Sequence, residues 1–161
     1  MVLLIVPYAV WALCAVCDAT SFKIPNRYVA VLLAAWPVAL LLSGGGAPVL
    51  IAGLSVGGLF LLAGFALFAA RLLGAGDAKL IAASGLWLGP SAALPFILYT
   101  TLAGAALGLF LLRARALPLP GFALGWPWAV ALHERERVMP YGVAIALGGM
   151  VALPGSDLIG G

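Results

Sequence analysis

Charge is what this sequence has least of. Eight Lys/Arg and five Asp/Glu in 161 residues make 8% of the chain charged, while 65% is hydrophobic; an average soluble domain carries about 25% charged residues. So few charges cannot cover a soluble globule, and most of the surface must face lipid. The basic excess is thin as well. A net charge of +3 drawn from so few groups is no phosphate-tracking patch, which excludes nucleic acid as a partner. Cysteine is nearly absent: Cys14 and Cys17 lie in one apolar run and read as reduced, buried thiols rather than a disulfide framework. With a single histidine, His133, and no metal-ligand spacing, neither a metal nor another cofactor is expected.

What the chain does have is long uncharged runs. Seventeen uncharged residues precede Asp18, enough at about 1.5 Å per residue to reach most of the way across a bilayer core of roughly 30 Å. A cleaved signal peptide is the alternative reading of this segment, but no basic stretch precedes it and no polar domain follows. Residues 28–70 are forty-three without a charge, about 65 Å as one helix and therefore a hairpin. Ser43-Gly44-Gly45-Gly46-Ala47-Pro48 supplies the break, giving helices near residues 28–42 and 48–70. Residues 80–112 form a second over-long run of thirty-three. Its turn is expected at Gly89-Pro90-Ser91, with Pro95 as the other possible split. Residues 116–132, broken by Pro118, Pro120 and Pro127, read as an interfacial loop whose Trp126 and Trp128 suit the headgroup zone. A last helix is expected over residues 138–156. The spacings Gly53/Gly57, Gly85/Gly89 and Gly104/Gly108 are candidate close-approach surfaces between helices.

The sequence thus implies an all-α, polytopic membrane protein of six transmembrane helices in a single domain over residues 1–161. The charges orient it. Lys23 and Arg27, Arg71 and Lys79, and Arg113, Arg115, Arg135 and Arg137 all fall in the loops after helices one, three and five. The positive-inside rule makes that side cytoplasmic and places both termini outside.

Asp18 ends the first helix and Asp77 begins the fourth, both on the basic side. Ionisable groups at membrane depth are costly and are functional candidates by default, although each taken alone is also a plausible helix cap or partner for a nearby Lys/Arg. Brought together, two carboxylates share a proton, one acting as base and the other as acid. That equipment suits peptide hydrolysis: the base takes a proton from water, the water attacks the carbonyl, and the acid serves the carbonyl oxygen and then the leaving amine. The glycines of Gly74-Ala75-Gly76-Asp77 leave room for bent main chain and for an extended peptide beside the carboxylate.

In these residues the chain resembles the type IV prepilin leader peptidases, membrane aspartic proteases with a G-x-G-D motif. The resemblance rests on Asp18, Lys23-Ile24-Pro25-Asn26-Arg27, Gly74-Ala75-Gly76-Asp77-Ala78-Lys79-Leu80 and Pro140-Tyr141-Gly142-Val143-Ala144-Ile145, in that order. It implies that Asp18 and Asp77 are the catalytic pair, that Gly74, Gly76, Lys79, Pro25 and Asn26 shape the site, and that the substrate is a prepilin-like polypeptide. Its short basic leader would be cut, usually after glycine, at the cytoplasmic face of the inner membrane. Larger relatives in this family also N-methylate the new terminus and carry a cysteine-rich insertion; here only Cys14-x-x-Cys17 is present, so methyltransferase activity is not expected. The compact form is similar to the peptidases of tight-adherence (Flp) pili, with archaeal preflagellin peptidases as another short lineage.

Among the other polar residues, Lys79 reads as a snorkelling lysine or a support for Asp77 or the substrate backbone. His133-Glu134-Arg135-Glu136-Arg137 reads as a solvated turn whose glutamates could meet a basic leader. A small proton-coupled carrier using the two Asp as proton sites is the alternative function, but no polar trail crosses the other helices. The charge pattern gives a direct test in a background lacking Cys14 and Cys17. Cysteines placed at Gly45 and Ser91 should react with an impermeant thiol reagent from outside, and one at Arg135 should not; labelling at Arg135 would reverse the topology.

Overall fold

The protein is described by a computed structural model covering residues 4–134 and 139–160. Its helices are α1 (Ile5–Ser21), α2 (Asn26–Ser43), α3 (Gly46–Ala69), α4 (Ala75–Arg115), α5 (Pro127–Glu134), α6 (Tyr141–Ala152) and α7 (Asp157–Gly160), with 3-10 turns at Gly121–Gly125 and Leu153–Gly155 and no strand among the described residues. Among the described residues four stretches are long and apolar enough to cross a membrane: Asn26–Ser43, Gly46–Ala69, Ala75–Arg115 and Tyr141–Ile159. Ile5–Ser21 is apolar but shorter, at 17 residues. Outward-facing Leu41, Leu62, Phe65, Leu94 and Phe110 are exposed, as a lipid-facing surface requires, while Trp11, Trp87 and Phe96 fill the interior.

At 41 residues α4 would be about 62 Å long if straight. It is not straight. Gly89 has φ 64° and ψ −176°, a conformation open essentially to glycine alone, and it divides the helix into an outgoing arm, residues 75–88, and a returning arm, residues 90–115. Pro90 stands first in the returning arm, where its missing N–H costs nothing. The return sets Phe96 against Phe60 with ring centroids 5.6 Å apart and brings Gly104 beside the Tyr141 ring. Pro95 lies within the returning arm rather than at the turn.

Small residues let these helices approach. A Cβ at Gly53 would sit 2.6 Å from the Trp36 ring and 2.7 Å from the Leu86 carbonyl oxygen, and one at Gly85 would sit 3.0 Å from the Gly57 Cα. These contacts press α3 against the outgoing arm of α4, so backbone meets backbone. Two of the interior tryptophans are satisfied: Trp11 Nε1 donates to Ser84 Oγ at 2.9 Å and Trp87 Nε1 to the Leu32 carbonyl at 3.1 Å.

Two expectations need correction. Residues 116–132 are not wholly loop, because the 3-10 turn and α5 occupy much of the segment. Pro127 suits a first helical position, and α5 begins there, with Trp126 and Trp128 stacked at 5.9 Å. The last helix is shorter than residues 138–156. It begins at Tyr141 because Pro140 disfavours helix in the residue before it, and Pro154 turns its far end into the 3-10 segment. Arg135, Glu136, Arg137 and Val138 lie outside the described residues.

The hairpin turn of α4 is closed from elsewhere in the chain. Asp157 Oδ2 accepts from the Ser91 N–H at 3.1 Å and Asp157 Oδ1 from Ser91 Oγ at 2.6 Å. This is an N-cap supplied in trans. Asp157→Ala should therefore destabilise the bundle by about 1 kcal/mol, read as a lower Tm in detergent.

Candidate active site

The end of α1 and the starts of α4 and α6 converge. Asp18 lies in the last turn of α1 and is 6% exposed. The helix ends just beyond it, where Phe22 turns left-handed at φ 55° and its N–H donates to the Asp18 carbonyl at 2.9 Å. The Asp18 carboxylate reaches α6: Oδ2 accepts from the Gly142 N–H at 2.7 Å.

Asp77 stands in the first turn of α4, where a carboxylate complements the helix dipole. Gly74 precedes that helix in extended conformation, φ −71° and ψ 148°. A Cβ there would come within 2.7 Å of Asp77 Oδ2, so glycine makes space for the carboxylate. Gly76 has a different task. A Cβ on it would sit 3.2 Å from the Ile24 Cβ, and its absence lets the α1–α2 link lie against α4. Asp77 Oδ1 is buried and has no hydrogen-bond partner among the described residues.

Asp18 and Asp77 line one cavity of about 470 Å³ with Phe22, Arg71, Leu72, Leu73, Gly74, Met139 and Tyr141. Phe22 and Arg71, at φ 55° and 61°, are the two non-glycine residues with positive φ among the described residues. Both lie on this cavity wall, the kind of place where unfavourable backbone collects at functional sites. A second cavity of about 380 Å³ adjoins the first, between α3 and the two arms of α4. It is lined by apolar residues such as Phe60, Leu67, Ile81 and Phe96, and shares Leu72, Leu73 and Tyr141 with the first.

Of the site residues expected from sequence, Asp18, Asp77 and Gly74 are thus brought together, with Gly76 packed behind them. Lys79, Asn26 and Pro25 are not among the residues lining the cavity. Lys79 Nζ instead donates to Asn26 Oδ1 at 3.2 Å, tying α4 to α2, and Pro25 is the extended residue from which α2 starts. Cys14 is buried and Cys17 half-buried, both free thiols. Gly142, Tyr141, Met139, Arg71 and Phe22 were not singled out as site residues. For Gly142 a signal existed: Pro140-Tyr141-Gly142 opens a helix, and helix openings carry spare N–H donors.

A protein all-helical among the described residues, with several helices able to cross a membrane and two carboxylates on one cavity, defines the class. Residues 5–109 match the type IV leader peptidase family, and the chain belongs to it. Over 90 residues, 55% of the chain, it is 37% identical to the prepilin leader peptidase/N-methyltransferase of Xanthomonas campestris pv. campestris, of which the chain covers 26%. No solved structure matches.

Proposed function

We propose that the protein is a membrane aspartic endopeptidase that removes the short leader from prepilin-like polypeptides, with Asp18 and Asp77 activating water. The observation that carries this reading is the single cavity onto which both carboxylates open. In the proposed topology α1, α2, α3, the two arms of α4 and α6 make six crossings of the inner membrane, both termini are outside, and the cavity opens at the cytoplasmic face. The adjoining apolar cavity, which shares Leu72, Leu73 and Tyr141 with the first, favours a substrate whose scissile bond adjoins an apolar segment.

The chemistry needs one ionised and one protonated carboxyl. The carboxylate takes a proton from water as the hydroxyl oxygen bonds to the peptide carbon, and the carbonyl π pair moves onto oxygen, which takes the proton of the carboxylic acid. The tetrahedral carbon then expels the amine. The C–N bond breaks, nitrogen receives the proton that came from water, and the second carboxyl recovers its own from the collapsing hydroxyl. Water is consumed, and a carboxylic acid and an amine are formed.

Asp18→Asn and Asp77→Asn test this directly, because the amide keeps the size and most hydrogen bonding of the carboxyl but cannot take the proton. Each should lower the rate of leader removal by about 100- to 10,000-fold, followed by mass spectrometry with purified protein in detergent, and the double variant should be little worse than either single one. Cys14→Ser with Cys17→Ser should stay active. Normal processing by well-expressed Asp77→Asn would overturn the dyad, and loss of proton-coupled transport in that variant would identify a carrier instead.

A further inference from the structure

We propose that Gly142 is a positioning residue for this reaction: its backbone N–H fixes the Asp18 carboxylate in the cavity shared with Asp77, and a side chain there would push that carboxylate out of place. The inference rests on the peptidase reading above.

Three observations carry it. The Gly142 N–H meets Asp18 Oδ2 at 2.7 Å in a buried setting, which is the short length of a charge-assisted bond. The donor is the second residue of α6, a 12-residue helix, so this N–H has no partner within its own helix and is available to a carboxylate. Finally, the space is closed. A Cβ at position 142 would lie 2.8 Å from Asp18 Oδ2, 3.1 Å from Asp18 Cβ and 2.9 Å from the Ile24 Cδ1.

The two carboxylates are therefore unequal. Asp18 is held by main chain, which cannot swing away, and the donor supports the negative charge that a base must carry. Asp77 takes a backbone hydrogen bond from Gly74 in its own helix start, but its Oδ1 is buried with no partner among the described residues and is left to meet the substrate. In this division of labour Asp18 takes the proton from water while the new C–O bond forms. Asp77 gives its proton to the carbonyl oxygen and takes one back as the C–N bond breaks, and the proton held on Asp18 leaves with the amine. Gly142 touches no reacting atom and acts through Asp18.

The test uses the full-length protein in detergent and a synthetic polypeptide probe with a Lys/Arg-rich leader ending in glycine, followed by an apolar stretch. Gly142→Ala should lower kcat by about 10- to 100-fold with KM within about twofold, since substrate binding is untouched and the base is displaced. Adding Ile24→Val removes the Cδ1 obstacle and leaves the one at Asp18, so the Gly142→Ala/Ile24→Val protein should remain as slow as Gly142→Ala alone. Recovery to the level of Ile24→Val would assign the defect to crowding against Ile24 and overturn the proposal. A second measurement needs no substitution at position 142. With glycine 15N-labelled, the Gly142 amide proton should resonate downfield and move upfield in Asp18→Asn; a resonance indifferent to that change would overturn the proposal even if Gly142→Ala fails to fold. Failure of the unsubstituted protein to cut the probe would instead count against the peptidase reading, and the amide resonance would still report whether Gly142 holds Asp18.

Discussion

Lipid offers no hydrogen bonds, so a chain that lives in it can use its backbone as a donor only where a helix begins and as an acceptor only where one ends. The site of this protein obeys that constraint. Asp18 comes from the end of α1, Asp77 from the start of α4, and the N–H that meets Asp18 from the start of α6. Had any of the three helices run on by a turn, its polar group would have been spent inside its own ladder or covered by it. The cavity exists because three termini meet at one level.

That meeting depends on how closely the helices can pack. Glycine at positions 53, 57 and 85 brings α3 against the outgoing arm of α4, and a Cβ at Gly64 would sit 3.2 Å from the Ala78 Cα, next to Asp77. The returning arm is placed by one dihedral pair at Gly89, and it supplies the wall that carries Phe96 and Thr100 beside the apolar cavity. Small residues do here what hydrophobic burial does in a soluble core: with lipid outside, apolar contact alone gives little preference for one arrangement, and close backbone approach decides it.

These features were legible in the sequence to different degrees. Uncharged runs and glycine-proline punctuation were enough to find α2 and α3 and to make Gly89-Pro90-Ser91 the expected turn with Pro95 as the other split, because run length and allowed dihedrals are local properties; the choice between the two turned on packing that is not local. The two aspartates stood out because almost nothing else was charged. Lys79 and Asn26 were attached to the site by the motifs that carry the family resemblance, yet they bond each other; the direction in which a side chain leaves a helix end depends on the neighbouring helix. Gly142 is the opposite case. Its contribution is a main-chain donor, and a residue type says nothing of which distant carboxylate its N–H will meet, 124 positions away along the chain.

The bundle makes the same bond at both ends. Asp18 accepts the N–H of the second residue of α6, and Asp157 accepts the N–H of Ser91, the second residue of the returning arm of α4. One lies beside the cavity and the other clamps a turn, so an aspartate seated on a helix opening is not in itself a mark of chemistry here. What separates the two places is Asp77, whose buried oxygen secures nothing among the described residues. Asp157 and Asp18 each tie two distant parts of the chain together, whereas Asp77 takes only a local backbone hydrogen bond from Gly74 at the start of its own helix and keeps its other oxygen free to work.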